Sequence, residues 1–340
     1  MQIRDYVLRR VMLLPFLVVA TTLIVFILMR AGGSPLGVYL QPGMSQEQIA
    51  RLEDRYNLNE PLPLQYVSWL GGVLRGELGY SGVSSAPVTE VFPQKLTATA
   101  ELAVAAGAIA VVLGISMGTF AARRRDKLAD HLTRVLAISG ASMPTFWFGI
   151  VMLIVFWAGF GLFPIGRSDP DVWASIAHPT GLYTVDAILA GNFNALLDAL
   201  WHLVLPAAVL GYSTTAIIAR MMRSSLLEEL GQDYVDAARA KGLPERLVVR
   251  RHARRNALMP TITVIGLTFG ILIEGTVVVE IIFVWPGLGK WLSDAVLEGD
   301  QATTLAYVLF ISIVFLFLNL IVDLAYAYLD PRVVLGDLED

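Results

Sequence analysis

The sequence predicts an all-α polytopic membrane protein with six transmembrane helices, on three observations. The 340 residues are 56% hydrophobic and only 16% charged, where a soluble protein carries about a quarter charged residues. Six apolar runs are each long enough to cross about 30 Å of hydrocarbon. The basic residues crowd into alternate connections instead of spreading evenly.

The first run, 11–29, is apolar except for Thr21 and Thr22. Arg4, Arg9 and Arg10 precede it as they would a signal peptide. The run outlasts a typical signal core, however, and no small-x-small cleavage site follows Met29, so it reads as a retained span. Residues 1–30 are thus an N-terminal cytoplasmic segment and first transmembrane helix. The outer connection 31–100 is large enough to hold structure. Ser45 to Tyr56 has helical spacing through Ile49, Leu52 and Tyr56, and Leu64 to Leu74 carries Tyr66, Trp69 and Leu70. Both read as amphipathic helices, followed by an irregular Gly/Ser-rich run from Gly76 to Ser85.

Within a transmembrane core of 101–330, further spans are expected at 102–122, 135–160, 203–221, 258–284 and 304–327, leaving 331–340 as a cytoplasmic tail. Ser142-Met143-Pro144-Thr145 interrupts the third span, because proline breaks the helical hydrogen-bond ladder. Gly114 with Gly118, and Gly266 with Gly270, mark places for close helix contact. The outer connection 161–201 mixes Gly, Pro, Asp and aromatics without a period.

Orientation follows from charge. Three basic residues precede the first span, five lie between the second and third, nine run from Arg220 to Arg255, and Arg332 follows the sixth. That places 18 of 25 on one side, so both termini and the loop 222–257 are expected in the cytoplasm.

That loop contains the most informative stretch, 233–260. Asp233 suits an N-cap, with Asp236 three residues later as a capping-box partner. Gly242 supplies a left-handed stop, and Pro244 suits the first turn of a second helix. The helix so bounded is about two turns long, too short to persist alone, and its small residues Ala237, Ala238 and Ala240 suggest docking. Arg250, Arg251, Arg254 and Arg255, flanking His252, have no aromatic partners for nucleic-acid bases and suit anionic lipid.

Other chemistry is largely excluded. There are no cysteines, and the four histidines form no ligand pair, so no disulfide or metal site is expected. Gly161 to Ser168 has the spacing of a phosphate-binding loop, but Arg167 stands where lysine is needed and no strand precedes it. With no other nucleotide-binding candidate, any ATP hydrolysis must be done by a partner. Gly79-Tyr80-Ser81-Gly82 has the pattern of an intramembrane serine protease, but Ser81 lies in a polar loop and His202 has no evident orienting acid. No catalytic residue is expected. Glu274, Glu280 and Asp323 lie in or beside spans, where a charge must face protein, water or an interface. Glu274 and Glu280 read as structural or partner-facing, or as lining a polar route.

The run Asp236-Ala237-Ala238-x3-Gly242 resembles the Glu-Ala-Ala-x3-Gly loop of bacterial ABC importer permeases, with Asp for Glu. Ala-Arg-Ala-Lys-Gly-Leu (238–243) and His252-Ala-x-Arg-Asn-Ala-Leu-x-Pro260 are similar to the dipeptide/oligopeptide/nickel branch, first-permease type. So are Gly76-Glu-Leu-Gly-Tyr-Ser81, Ser142-Met-Pro-Thr-Phe-Trp-Phe-Gly149, Glu280-Ile-Ile-Phe-Val-Trp-Pro-Gly-Leu-Gly289 and Asp330-Pro-Arg332. The resemblance implies a type I ABC importer permease fold in a bacterial inner membrane. It implies pairing with a second, related permease on two ATPase subunits that bind ATP and magnesium, with an external substrate-binding protein. The helix from Asp233 becomes the coupling helix, its contacts to the ATPase drawn from Asp233, Asp236, Ala237, Ala238, Arg239, Lys241 and Gly242. Ser142, Pro144, Glu274 and Glu280 become candidates for the pathway or the permease interface. Peptides are the expected substrate, with nickel chelates, glutathione or another small solute as alternatives within the branch. An ion-driven secondary transporter is the alternative from outside it, but it calls for internal repeats and paired intramembrane charges, which the sequence does not clearly offer.

Overall fold

The computed structural model describes residues 3–33, 36, 44–55, 57–174 and 176–329. The tail expected at 331–340, and the Asp330-Pro-Arg332 run, lie outside them. The chain divides into two compact units, 1–96 with 290–340, and 97–289.

In the first unit, α1 (Ile3–Ala31) packs along α14 (Gln301–Leu329). The Thr21 and Ser312 hydroxyls meet at 3.1 Å, a pairing that gives each hydroxyl a partner between two apolar helices. Two helices occupy the outer connection, α2 (Gln46–Arg55) and α3 (Leu62–Leu74). Ser45 caps α2 reciprocally with Gln48: Gln48 N donates to Ser45 Oγ at 3.3 Å and Ser45 N to Gln48 Oε1 at 2.8 Å. The Gly/Ser-rich run contains a small antiparallel hairpin, β1 (Tyr80–Ser81) with β2 (Ala86–Pro87). Buried Ser81 donates to Asp300 Oδ2 at 3.1 Å and accepts from Thr303 Oγ1 at 2.8 Å. Asp300 also accepts from Thr303 N at 3.1 Å, capping α14. Ser81 is therefore a fastener of the hairpin.

The second unit is built on α9 (Phe193–Leu230), the most buried helix of its length. Against it pack α5 (Leu128–Ser142), α6 (Thr145–Met152, then a π-helical turn Leu153–Gly159) and α12 (Arg254–Ile282), and α4 (Val88–Arg123, mostly in this unit) meets it at Gly114 and Gly118. Short helices α7 (Pro170–Trp173) and α8 (Tyr183–Leu189) lie before α9. Helix α10 (Asp233–Ala240), α11 (Glu245–Leu247) and a π-helical turn (Val248–Ala253) link α9 to α12, and α13 (Leu288–Glu298) follows. A Cβ added to Gly118 would lie 2.5 Å from the Ala219 carbonyl oxygen, so only glycine lets α4 and α9 approach this closely. Around Gly266 and Gly270 an added Cβ meets nothing within 4 Å among the described residues. The close contact expected there is not made among the described residues.

Among the described residues, three helices are long and apolar enough to cross a membrane alone: Val88–Arg123, Phe193–Leu230 and Glu245–Ile282. The third span expected from sequence is broken where Pro144 predicts. Helix α5 stops at Ser142, Met143 and Pro144 are extended, and the two arms meet at 110°. If that pair crosses as one span it makes a fourth, and α1 and α14 are apolar over Pro15–Ala31 and Gln301–Phe317. Two helices outrun their expected bounds. Helix α4 begins at Val88 and α9 covers 38 residues, about 57 Å at 1.5 Å per residue, so hydropathy reveals only their apolar middles.

Candidate functional site

Helix α9 ends at Leu230, and Gln232, extended at ψ 147°, is the N-cap of α10. This corrects the expected capping box. Asp233 is already the first helical residue, no side chain caps the helix, and the Asp236 carboxylate instead accepts from Arg239 Nη1 at 3.0 Å. Both acids still lie in the first turn, where they oppose the positive end of the helix dipole.

The other end matches expectation. Gly242 has φ +78°. Its N–H donates to the Arg239 carbonyl at 2.9 Å, and Leu243 N donates to the Ala238 carbonyl at 3.4 Å, the paired bonds of a Schellman stop. Leu243 and Ala238 also join one apolar cluster, so the stop is sealed by packing. Pro244 sits one place earlier than expected, capping α11 with extended backbone.

The faces of α10 are sharply different. Val235 and Ala238 are buried against Met222 and Leu226 of α9, Val248, Val249 and Ala253 of the π turn, and Ala257 of α12. Asp233, Tyr234, Asp236, Ala237, Arg239, Ala240 and Lys241 are exposed. The small-residue patch is thus divided: Ala238 faces inward, Ala237 and Ala240 outward.

Two polar clasps fix α10 to its neighbours. Arg239 donates to Glu245 at 3.0 and 3.2 Å and to the Leu230 carbonyl at 3.3 Å. The Glu245 and Asp236 carboxylates hold its guanidinium pKa above the ordinary value. The Tyr234 hydroxyl donates to Glu229 and accepts from Asn256 Nδ2 at 3.1 Å. Burial, then the Glu229 carboxylate, pushes that phenol up. Beside this assembly, buried Asp130 of α5 accepts from Arg223 Nε and Nη2 at 2.5 and 2.8 Å and from Arg134 at 3.1 Å, tying α5 to α9. Arg250, Arg251 and Arg255 point outward around the π turn and Arg254 is half-buried, so the basic cluster presents a charged face.

The remaining candidates separate. Glu280 is fully buried, accepting from Thr99 Oγ1 at 2.6 Å and Gly289 N at 2.6 Å. It braces the turn after α12. Glu274 is exposed. Glu274→Gln is therefore expected to leave the thermal midpoint of the purified complex unchanged, within the roughly 0.5 kcal/mol of ordinary surface substitutions. A clear fall would place it in a buried contact. Ser142 and Pro144 sit exposed at the bend between α5 and α6, and the Asp323 side chain lies outside the described residues.

Two pairings were not foreseen. Arg167, from the phosphate-loop-like run, is buried and donates to Glu101 Oε2 at 2.7 and 3.1 Å and to the Gly181 carbonyl at 2.7 Å, so its charge is already spent. His202 does have an acid: its Nδ1 lies 3.2 Å from Asp198 Oδ1 and 2.9 Å from the Asp198 carbonyl. The spacing of four residues on a helix was the available signal. It creates no triad, because the Ser81 hydroxyl is committed to Asp300 and Thr303.

Residues 110–335 match the family described as binding-protein-dependent transport system inner membrane component. The chain is 39% identical over 333 residues to the dipeptide transport system permease protein DppB of Escherichia coli (strain K12), covering 97% of this chain and 98% of that one. It is 38% identical over 336 residues to the di/tripeptide transport system permease protein DppB of Pseudomonas aeruginosa, with 97% and 98% covered. The oligopeptide transport system permease protein AppB of Bacillus subtilis is 34% identical over 330 residues, with 96% and 98% covered.

Proposed function

Because the chain belongs to the family of binding-protein-dependent transport inner membrane components, we propose that it is a permease subunit of an ATP-driven importer of peptides. It is a multi-pass membrane transport subunit and not an enzyme, and in this family ATP hydrolysis belongs to partner ATPases. The peptide assignment rests on relatives whose names specify dipeptides, di/tripeptides and oligopeptides.

In this reading the chain pairs with a second, related permease, and the two enclose the pathway. A substrate-binding protein delivers the peptide on the outer side, and both termini face the cytoplasm with the basic loops. Each permease lays one short helix into a groove of an ATPase subunit. ATP closes the ATPase dimer, the short helices move with it, and the spans rock between inward- and outward-open arrangements. Helix α10 carries the reading. Its inward face is locked to α9 and α12 through Val235 and Ala238, so force on its outward face passes to two long helices instead of flexing a loop.

The test is assembly and energy source together. Affinity purification of this chain from membranes is expected to bring down ATPase subunits. Uptake of a labelled dipeptide by cells is expected to stop on ATP depletion and to persist when an ionophore collapses the ion gradients. Uptake that follows the ionophore, with no ATPase recovered, would instead establish a secondary transporter.

A further inference from the structure

The first unit holds a cavity that transport does not explain. It has a volume of about 340 Å³ and is walled by Phe26 and Arg30 of α1, Gln65 and Trp69 of α3, Arg75 just beyond α3, and Leu305 of α14. Its walls are fixed. Tyr66 donates to the Val19 carbonyl at 3.0 Å, and its ring packs against Phe26 and Trp69 at centroid distances of 5.4 and 5.7 Å. Gln301 Nε2 donates to the Met29 and Gly33 carbonyls at 3.0 and 3.2 Å, joining the start of α14 to the end of α1.

Two lining groups are left over. Nε and Nη1 of Arg30 are shielded from solvent and donate to nothing among the described residues; the guanidinium carbon lies 5.1 Å from the Phe26 ring centre. Oε1 of Gln65 is likewise shielded and accepts from nothing among the described residues. The amide nitrogen of Gln65 is already committed to the Leu58 and Glu60 carbonyls at 3.1 and 2.7 Å, so the side chain cannot turn to use it. A guanidinium does not neutralise itself by losing a proton, and withdrawn donors without an acceptor are costly. On the rim, Glu77 is drawn to Arg75 at 3.8 Å. The recess therefore matches a molecule with an oxyanion for Arg30 and a hydroxyl or ammonium for Gln65.

Its surroundings identify the source. Arg30 is in the last turn of α1 and Leu305 lies near the start of α14, so the cavity sits where two apolar helices reach the membrane surface. Trp69 is a residue type that collects at that depth. Toward the membrane interior α1 exposes Leu28, Ile27 and Ile24, so the helix that carries Arg30 also presents an apolar surface to lipid. We propose that this cavity binds the phosphodiester headgroup of a membrane phospholipid, its phosphate on Arg30 and its headgroup hydroxyl or ammonium on Gln65 Oε1, with the acyl chains along α1.

The test uses the intact complex, purified in detergent and stripped of lipid. It is titrated with dioleoyl phosphatidylglycerol or with inorganic phosphate, and the bound species are counted by native mass spectrometry. The wild type is expected to retain the phospholipid. Arg30→Gln should weaken retention by about tenfold or more, the loss of one charge-assisted contact. Arg51→Gln, at an exposed pair with Glu47, should change nothing. Equal retention by wild type and Arg30→Gln overturns the proposal. Where Arg30→Gln does not assemble, Ser68→Trp at the exposed mouth replaces it, with the same two outcomes. Displacement of the lipid by inorganic phosphate at equal concentration would make this a site for soluble anions and overturn the lipid assignment.

Discussion

Gly242→Val is expected to abolish ATP-driven uptake, to about a tenth of wild type or less, while the chain still inserts and assembles. The cause is conformational. An added Cβ at Gly242 meets nothing within 4 Å among the described residues, but the residue holds φ +78°, where a β-branched side chain costs about 1–3 kcal/mol. Helix α10 has only eight residues, too few to tolerate a frayed end. Unwinding its last turn would free Leu243 from Ala238 and release the Arg239 clasp. The effect should be graded: Gly242→Asn, which tolerates left-handed backbone, mildest, then Gly242→Ala, then Gly242→Val. Uptake in vesicles, with insertion checked by surface accessibility, reads it directly. Normal uptake by Gly242→Val would sever the stop from coupling.

Glu280→Ala is expected to give the largest loss of stability. The buried carboxyl serves Thr99 Oγ1 and Gly289 N, and Thr99 Oγ1 in turn accepts from Leu288 N at 2.8 Å. These bonds hold a turn in which Val284 adopts φ +54°, an unfavourable conformation for a β-branched residue. Truncation leaves buried donors without acceptors at about 1–3 kcal/mol each. The thermal midpoint of the complex should fall by several degrees, with Glu280→Gln between wild type and Glu280→Ala because it keeps one carbonyl acceptor. An unchanged midpoint for Glu280→Ala would show that the other bonds of the turn suffice to hold it, among them Trp285 Nε1 to the Ala98 carbonyl at 2.9 Å.

What the sequence made legible was local. Apolar runs, the break at Pro144 and the stop at Gly242 each depend on a few neighbouring residues, and each is present where expected. The misses have non-local causes or local competitors. Glu280 was a carboxylate in a membrane span, and only pairing with Thr99, 181 positions away, makes it a brace. Arg167 was a failed lysine in a phosphate loop until Glu101, 66 positions away, claimed it. The capping box failed because Gln232, not Asp233, is the N-cap, which leaves Asp236 out of register and free to pair with Arg239. Ala237 and Ala238 read alike in sequence, yet the roughly 100° between neighbours on a helix turns Ala238 into the cluster and leaves Ala237 exposed.

That division of faces gives the sharpest test of α10 as the coupling helix. The chain has no cysteine of its own, so a single introduced thiol reports one position. In the assembled transporter, Ala237→Cys is expected to cross-link to an ATPase subunit with a short thiol reagent, the yield changing when ATP is added. Ala238→Cys, only 6% exposed and turned toward the α9 and α12 cluster, should give none. A transport-competent Ala237→Cys complex that forms no cross-link to the ATPase, with or without nucleotide, would contradict the assignment.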